Sequence, residues 1–205
     1  MQTLLQIKSS IYSDNGESTR LANRFVKGWS ATNPAGTVIV RDLMAEPVPH
    51  LDAARFGALV SKPENRTEQQ AQVVAYSDAL IDELRRADVI VLGLPMYNFG
   101  VPSTLKAYFD HVARAGVTFR YGERGPVGLL TGKKVLVFAA RGGLYQGTPR
   151  DTQTTYVRDF LAFLGMTDVE FIYAEGLAMG PAAKDGALEK AHAHVDRLAR
   201  PALAA

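Results

Sequence analysis

Short apolar runs alternate with stretches of helical periodicity along the chain, and this alternation is the strongest constraint on its fold. Each run is apolar at successive positions, so the strand that it predicts must be buried on both faces. Such strands, each followed by a helix, are typical of a parallel sheet that helices cover on both sides. The five runs are Thr3–Ile7, Thr37–Val40, Asp88–Leu94, Lys134–Ala140 and Asp168–Ala174. The sequence therefore predicts an α/β fold, a doubly wound five-stranded parallel sheet with about five helices.

One segment interrupts the alternation of strands and helices. A long amphipathic helix is predicted from Thr67 to Ala87 and a short one near Asp52–Val60. Residues 117–132, by contrast, are rich in glycine and aromatic residues and lie between a predicted helix and the fourth strand. They predict an excursion over the edge of the sheet, with a hairpin at Thr118–Leu130. We expect residues 1–205 to form a single domain.

The composition excludes several classes of protein. The chain has no cysteine, which excludes disulfides, thiolate nucleophiles and cysteine-ligated metals, so any electron transfer needs a bound cofactor. The formal net charge is only +2 and no block of Lys and Arg concentrates it, so no nucleic-acid partner is expected. The first residues do not match a signal peptide, and no apolar run reaches the roughly 18 residues that span a bilayer. We therefore expect a cytoplasmic protein that does not enter the membrane.

The segment after the first predicted strand has the composition of an anion site. Ligands of an open parallel sheet bind beyond the carboxyl ends of its strands. Here Ser10, Ser18 and Thr19 supply hydroxyl donors, and the backbone N–H groups near Gly16 and Glu17 open a helix. The same residue types also form ordinary helix caps, and that alternative stays open. The carboxylate of Glu17 would repel an anion unless its side chain turns away.

Two further loops follow the third and fourth predicted strands. The first, Pro95–Phe99, carries a Met and two aromatic residues that could contact a flat ring, while Asn98 offers both a donor and an acceptor to its polar edge. The alternative is a loop whose aromatic residues fill the core. The second loop begins at Ala140 and contains Gly142 and Gly143, whose backbone can approach a ligand closely. An ordinary tight turn would explain these glycines equally well.

Other catalytic motifs are missing from the sequence. There is no Gly-x-Ser-x-Gly nucleophile turn, and no Gly-x-Gly-x-x-Gly follows the first strand. Val127 and Lys134 occupy positions where a Walker phosphate loop needs glycine and Ser or Thr. His192 and His194 lie two residues apart on a predicted helix and face different sides, so no metal site is expected.

Motifs in consistent order from residue 8 to residue 176 carry a resemblance to a known family. They are Lys8-Ser9-Ser10, Pro95-Met96-Tyr97-Asn98-Phe99, Tyr108-Phe109-Asp110, Ala113 to Tyr121, Thr131-Gly132-Lys133-Lys134, Arg141-Gly142-Gly143, Phe163-Leu164-Gly165 and Ala174-Glu175-Gly176. At these positions the chain resembles the FMN-dependent NADH:azoreductase family, the bacterial flavodoxin-like NAD(P)H:quinone reductases. The most specific matches are the Pro95–Phe99 run and the stretch from Val117 to Tyr121.

The resemblance implies a flavodoxin-like fold, bound FMN, NADH or NADPH as co-substrate, and a ping-pong two-electron reaction. It also implies a homodimer with flavin pockets at its interface and small aromatic acceptors, namely quinones and azo compounds. We expect the second subunit to cover the aromatic residues Phe119 and Tyr121 and the apolar face of the preceding predicted helix, which carries Leu105, Tyr108, Phe109 and Val112. The cofactor-binding residues that it implies are Ser10, Gly16, Glu17, Ser18, Pro95, Met96, Tyr97, Asn98, Phe99, Ala140, Arg141, Gly142 and Gly143. Three positions depart from the family pattern: Gly16 and Glu17 stand where Ser and Gln are frequent, and Ala140 replaces a frequent Ser.

Because the flavin would carry the chemistry, no protein residue is predicted to act as a catalytic acid or base. The main alternative is a flavodoxin-type electron carrier, which would show one-electron behaviour and no NAD(P)H oxidation. The near-neutral charge offers no acidic docking face for such a carrier. A phosphorylated receiver domain would need acidic residues after the first strand, where Lys8-Ser9-Ser10 stands.

Overall fold

Five parallel strands form the central sheet of the computed structural model, which describes residues 1–200. In chain order the strands are β1 (Thr3–Lys8), β2 (Thr37–Asp42), β3 (Val89–Pro95), β4 (Phe119–Gly122), β5 (Gly125–Gly128), β6 (Lys134–Ala140) and β7 (Asp168–Ala174). The sheet order is β2-β1-β3-β6-β7, and β4 and β5 form a separate two-stranded sheet. The predicted flavodoxin-like, doubly wound five-stranded sheet is confirmed.

Six α-helices are present in the described residues, against about five predicted. They are α1 (Glu17–Thr32), α2 (Ala53–Val60), α3 (Glu68–Arg86), α4 (Ser103–Val112), α5 (Thr152–Phe163) and α6 (Pro181–Leu198). Helix α3 begins with a capping box, in which Thr67 and Gln70 satisfy each other's backbone N–H groups. Asp52 caps α2 by accepting a hydrogen bond from the N–H of Arg55. None of these helices is long and apolar enough to cross a membrane.

The two faces of the sheet bury separate cores. Successive strand residues point to opposite faces. In β1, Leu5 packs among α3, α4 and α5, whereas its neighbour Leu4 packs against α1 and α6. In β3, Ile90 and Val91 divide in the same way. Burial on both faces explains why the strands read as continuous apolar runs.

The apolar face of α4 packs into the core that contains Leu5, which corrects one of our expectations. We expected that face to contact a second subunit. Instead its four large side chains are almost fully enclosed within their own chain: Leu105, Tyr108, Phe109 and Val112. The antiparallel hairpin β4–β5 lies inside the segment 117–132. Its Phe119 is buried against Phe163 of α5, whereas Tyr121 is exposed.

Candidate functional site

Loops from the three central strands meet at the carboxyl edge of the sheet. The connections from β1 and β3 leave towards opposite sides, so a crevice opens between these two strands, as expected for a switch point. The N–H of Ile11 donates to the hydroxyl of Tyr97 at 3.2 Å, which joins the loops after β1 and β3. The N–H of Met96 donates to the carbonyl of Ala140 at 3.0 Å, which aligns the loops after β3 and β6.

The first turn of α1 presents unused donors at this edge. The side chains of Ser18 and Thr19 are fully buried, yet neither hydroxyl has a hydrogen-bond partner in the described chain. The backbone N–H groups of Glu17, Ser18 and Thr19 also lack acceptors among the described residues. Buried polar groups are normally paired, and a helix N-terminus favours negative charge. These donors therefore fit a bound anion better than simple helix capping.

Two cations pair with the side chain of Glu17. Its carboxylate lies 3.0 Å from Nζ of Lys184 in α6 and 3.6 Å from the guanidinium of Arg20. Lys184 thus connects the first turn of α1 to α6, while Arg20 pairs with Glu17 within α1. The sequence left open whether Glu17 turns away, and the ion pairs show how it is held.

The loop after β3 is a tight turn with an unusual backbone. Tyr97 and Gly100 exchange both backbone hydrogen bonds, and the two residues between them, Asn98 and Phe99, have φ angles of +49° and +66°. Positive φ is uncommon outside glycine, and strained backbone of this kind is concentrated at functional sites. Phe99 is 52% exposed, so it does not fill the core. The carboxamide of Asn98 has no partner in the described chain and is free to bind a ligand.

The loop after β6 offers a second pair of free donors. The N–H groups of Gly142 and Gly143 have no acceptor in residues 1–200. Ala140 and Pro95, at the ends of their strands, are buried, so only a small accessible surface of either residue could contact a ligand. Met96 is half-buried beside the turn.

Arg141, one of the expected cofactor-binding residues, directs its side chain into the protein. Its side chain is fully enclosed and forms ion pairs with Asp151 at 3.0 Å and Glu175 at 3.0 Å. The guanidinium also lies over the ring of Tyr173, 4.9 Å from the centroid. Burial alone would raise the pKa of Asp151, but hydrogen bonds from Arg141 and Thr154 hold it below its usual range. The guanidinium is thus part of a buried ion cluster.

The sequence and the fold agree with those of known proteins. The family model described as a flavodoxin-like fold matches residues 2–199. The chain belongs to the flavodoxin-like fold family. An FMN-dependent NADH:quinone oxidoreductase of Cellvibrio japonicus is 59% identical over 197 residues, which are 96% of this chain and 98% of that protein. A protein of Burkholderia lata with the same name, numbered 6, is 57% identical over 92% of this chain and 95% of its own.

Solved structures extend the agreement. An azoreductase from Bacillus anthracis strain Sterne superposes with a TM-score of 0.89 at 28% identity, covering 97% of this chain and 99% of its own. An FMN-dependent NADH-azoreductase from Bacillus anthracis strain Ames Ancestor, in complex with FMN, has a TM-score of 0.85 at 25% identity and covers 98% of this chain and 100% of its own. The resemblance inferred from the sequence motifs is therefore confirmed.

Residues that support the loops were missed at the sequence level. Gln153 donates to the carbonyls of Pro95 and Gly100 at 2.9 and 3.0 Å, and Thr152 donates to the carbonyl of Phe99 at 2.6 Å. No local signal marks these α5 residues, because their partners lie more than 50 positions away. Glu175 did fall within a family motif, which was the only available indication of its importance.

Proposed function

We propose that this protein is an FMN-dependent oxidoreductase that takes hydride from NAD(P)H and passes two electrons to quinones and aromatic azo compounds. The observation that carries the proposal is the pair of buried, unpartnered hydroxyls of Ser18 and Thr19 beside the free N–H groups of α1. These donors suit the phosphate of FMN, and the exposed turn after β3 lies at the same edge of the sheet. The names of the relatives support NADH and quinones as substrates, and those of the solved structures support azo compounds.

Each loop would then hold one part of the cofactor. Ser10, Ser18 and the free N–H groups of Glu17, Ser18 and Thr19 would bind the phosphate beside Gly16, and the exposed turn would contact the ring. When bound, FMN supplies the chemistry by accepting hydride from the nicotinamide and returning two electrons to the acceptor. The free N–H groups of Gly142 and Gly143 would favour negative charge at the ring edge, as oxyanion donors do.

The flavodoxin-type electron carrier is the less favoured alternative. It would use the same phosphate and ring contacts but would not oxidise NAD(P)H. The relatives at 59% and 57% identity are named as oxidoreductases, which supports the enzyme.

An absorption spectrum tests the assignment directly. The purified protein, supplied with FMN, is expected to show flavin bands that NADH bleaches without oxygen and that a quinone then restores. NADPH in a parallel cuvette gives the nicotinamide preference. Bound flavin that NADH and NADPH leave oxidised would support the carrier, and failure to retain FMN would contradict the cofactor assignment.

We further propose that the working unit is a homodimer whose partner completes each flavin pocket. A groove of about 710 Å³ runs between α2 and the β4–β5 hairpin, and Phe56, Val60 and Tyr121 expose apolar surface along it. Exposed apolar surface of this kind often marks an interaction site. We also propose that residues 1–205 form one cytoplasmic domain that binds neither nucleic acid nor membrane.

A further inference from the structure

The loop after β6 is fastened to the segment after β7 through its carbonyl groups. The carbonyl of Arg141 accepts from the N–H of Leu177 at 3.1 Å, and the carbonyl of Gly142 accepts from Ala178 at 2.9 Å. In a trans peptide the carbonyl and the following N–H point in opposite directions. The N–H groups of Gly142 and Gly143 must therefore point away from the segment after β7. These contacts explain why both donors are free.

Glu175 secures the remainder of the same loop. Its carboxylate oxygen Oε1 accepts from the N–H groups of Tyr145 and Gln146, each at 3.0 Å. The same oxygen lies 3.0 Å from the guanidinium of Arg141, which fixes the carboxylate in place. One side chain thus collects three donors from the beginning and the end of the loop.

The buried cation also connects this loop to the turn after β3. Arg141 donates to Thr154 at 2.8 Å and pairs with Asp151, the residue that caps α5. The next residues of α5, Thr152 and Gln153, hold the carbonyls of that turn. Two loops of the site therefore depend on one ion cluster, formed by Arg141, Asp151 and Glu175.

We propose that Glu175 is a positioning residue of the flavin site, because its carboxylate and Arg141 hold the loop in the conformation that turns the Gly142 and Gly143 N–H groups towards the ring. The proposal rests on the proposed function, since it assigns these donors to the flavin ring. Glu175 itself acts through the loop, and no contact with the cofactor is required of it.

The test compares the affinity for FMN with that for riboflavin, which has the same ring but no phosphate. Glu175→Ala is expected to weaken binding of both flavins by a similar factor, about tenfold or more, because three charge-assisted hydrogen bonds are lost. Glu175→Gln, which keeps an oxygen at the position of Oε1, is expected to retain most of the affinity. Ser18→Ala is expected to weaken FMN alone. Glu170→Ala is the control. It removes a carboxylate that pairs with Lys134 and His194 from strand β7, which ends just before Glu175, and it should change neither affinity.

The outcomes separate the two proposals. If the unmodified protein binds neither flavin, the proposed function fails. If it binds both and Glu175→Ala binds them equally well, the positioning role fails. If Glu175→Ala loses affinity for FMN but not for riboflavin, Glu175 acts at the phosphate and not on the ring. If Glu175→Gln binds both flavins as weakly as Glu175→Ala does, the negative charge of Glu175 matters, and the positioning of the loop by its oxygen does not explain the loss. Should Glu175→Ala not fold by circular dichroism, Glu175→Asp replaces it, with Glu170→Asp as its control. The shorter side chain of aspartate keeps the charge but cannot reach both N–H groups of the loop, so it should weaken both flavins by a similar factor, and unchanged affinities would contradict the positioning role.

Discussion

A Cβ atom placed on Gly16 would lie 2.1 Å from the hydroxyl oxygen of Ser10, so the position of the serine requires a glycine here. The same Cβ would lie 2.7 Å from Cβ of Ser10, and rotation of the hydroxyl cannot relieve that contact. The hydroxyl of Ser10 accepts from the N–H of Tyr12 at 3.2 Å and lies 3.4 Å from the hydroxyl of Tyr97. Gly16 therefore lets the loop after β1 fold closely against the start of α1.

Gly16→Ala should weaken FMN binding by about tenfold or more, because the new methyl group must displace the loop that carries Ser10. Titration of the apo-protein with FMN measures the effect. Gly186→Ala is the matched control: a Cβ at this helical position in α6 meets nothing within 4 Å. An unchanged FMN affinity in Gly16→Ala would mean that the loop is not part of the phosphate site.

Ser18→Ala should separate binding from stability. Its hydroxyl is buried without a partner, so removing it should not lower the free energy of unfolding of the apo-protein. Loss of a hydrogen bond to a charged phosphate corresponds to about 1.5–3 kcal/mol, or roughly tenfold or more in FMN affinity. Ser10→Ala is expected to weaken binding in the same direction.

Ser77→Ala should lower stability without changing FMN binding, the opposite of Ser18→Ala. This buried serine donates to the carbonyl of His111 at 2.6 Å and accepts from Arg114 at 3.1 Å, far along the chain from the phosphate loop. It should lower the free energy of unfolding and leave FMN affinity unchanged. Equal FMN affinities for Ser18→Ala, Ser10→Ala and the unmodified protein would favour the helix-capping interpretation.

The fold was predictable because burial on both faces leaves a clear pattern. Strands β6 and β7 have the predicted bounds, and β3 begins and ends one residue later than predicted. Strands β1 and β2 extend one and two residues beyond the predicted ends, to Lys8 and Asp42. These polar residues complete the parallel pairing at the carboxyl edge, where the apolar pattern has already stopped.

The meeting of the three loops was predictable, but the arrangement of their side chains was only partly so. The sheet topology determines that the three loops meet, so the loops followed from the positions of the strands. The inward orientation of the Arg141 side chain could not be predicted in this way. Its partners, the carboxylates of Asp151 and Glu175, follow 10 and 34 residues later, and the sequence does not show how those segments pack. For the same reason the apolar face of α4 could be assigned to the core only from the structure.

Asn98 should act through both its side chain and its backbone. Asn98→Leu removes the carboxamide and also places a bulky residue at a φ of +49°, so it should lower FMN affinity or shift the flavin potential. Asn98→Gly removes the carboxamide and tolerates the backbone. If the carboxamide binds the ring edge, Asn98→Gly should also weaken FMN, measured by titration. Full affinity in the Gly variant would reduce Asn98 to a turn residue.

His111 should make stability fall in mild acid. Burial lowers the pKa of this histidine below its ordinary value of about 6.5, despite the hydrogen bond to the carbonyl of Ala107. His111 therefore binds a proton more readily in the unfolded chain than in the folded one. The stability that the neutral, buried imidazole contributes is present above about pH 6.5 and is lost as the pH falls through the folded pKa. Urea unfolding at pH 7.5 and 5.5 should show a smaller difference for His111→Gln than for the unmodified protein. An equal difference would assign the acid sensitivity to other groups.

The proposed homodimer makes its own prediction at Tyr121, which is 76% exposed on the hairpin beside the groove. Tyr121→Lys would place a charge in the proposed apolar contact, which is unfavourable when buried. The unmodified protein should sediment at about twice the 22.3 kDa chain mass, and the variant should shift towards a single chain and lose turnover. Val40→Lys is the control, because it places the same charge on exposed apolar surface of the edge strand β2, outside the groove. It should change neither the sedimentation nor the turnover.

Kinetics test the shared pocket in the same proposal. If nicotinamide and acceptor bind in turn to one pocket that a partner completes, steady-state double-reciprocal plots should give parallel lines, with competition at high substrate. Two flat rings are bound most firmly when both faces are removed from water, which a single exposed sheet edge does not provide. A fully active monomer would contradict the need for a second subunit, and intersecting lines would show separate sites. Either result would leave the FMN assignment intact, because the donors of α1 belong to one chain.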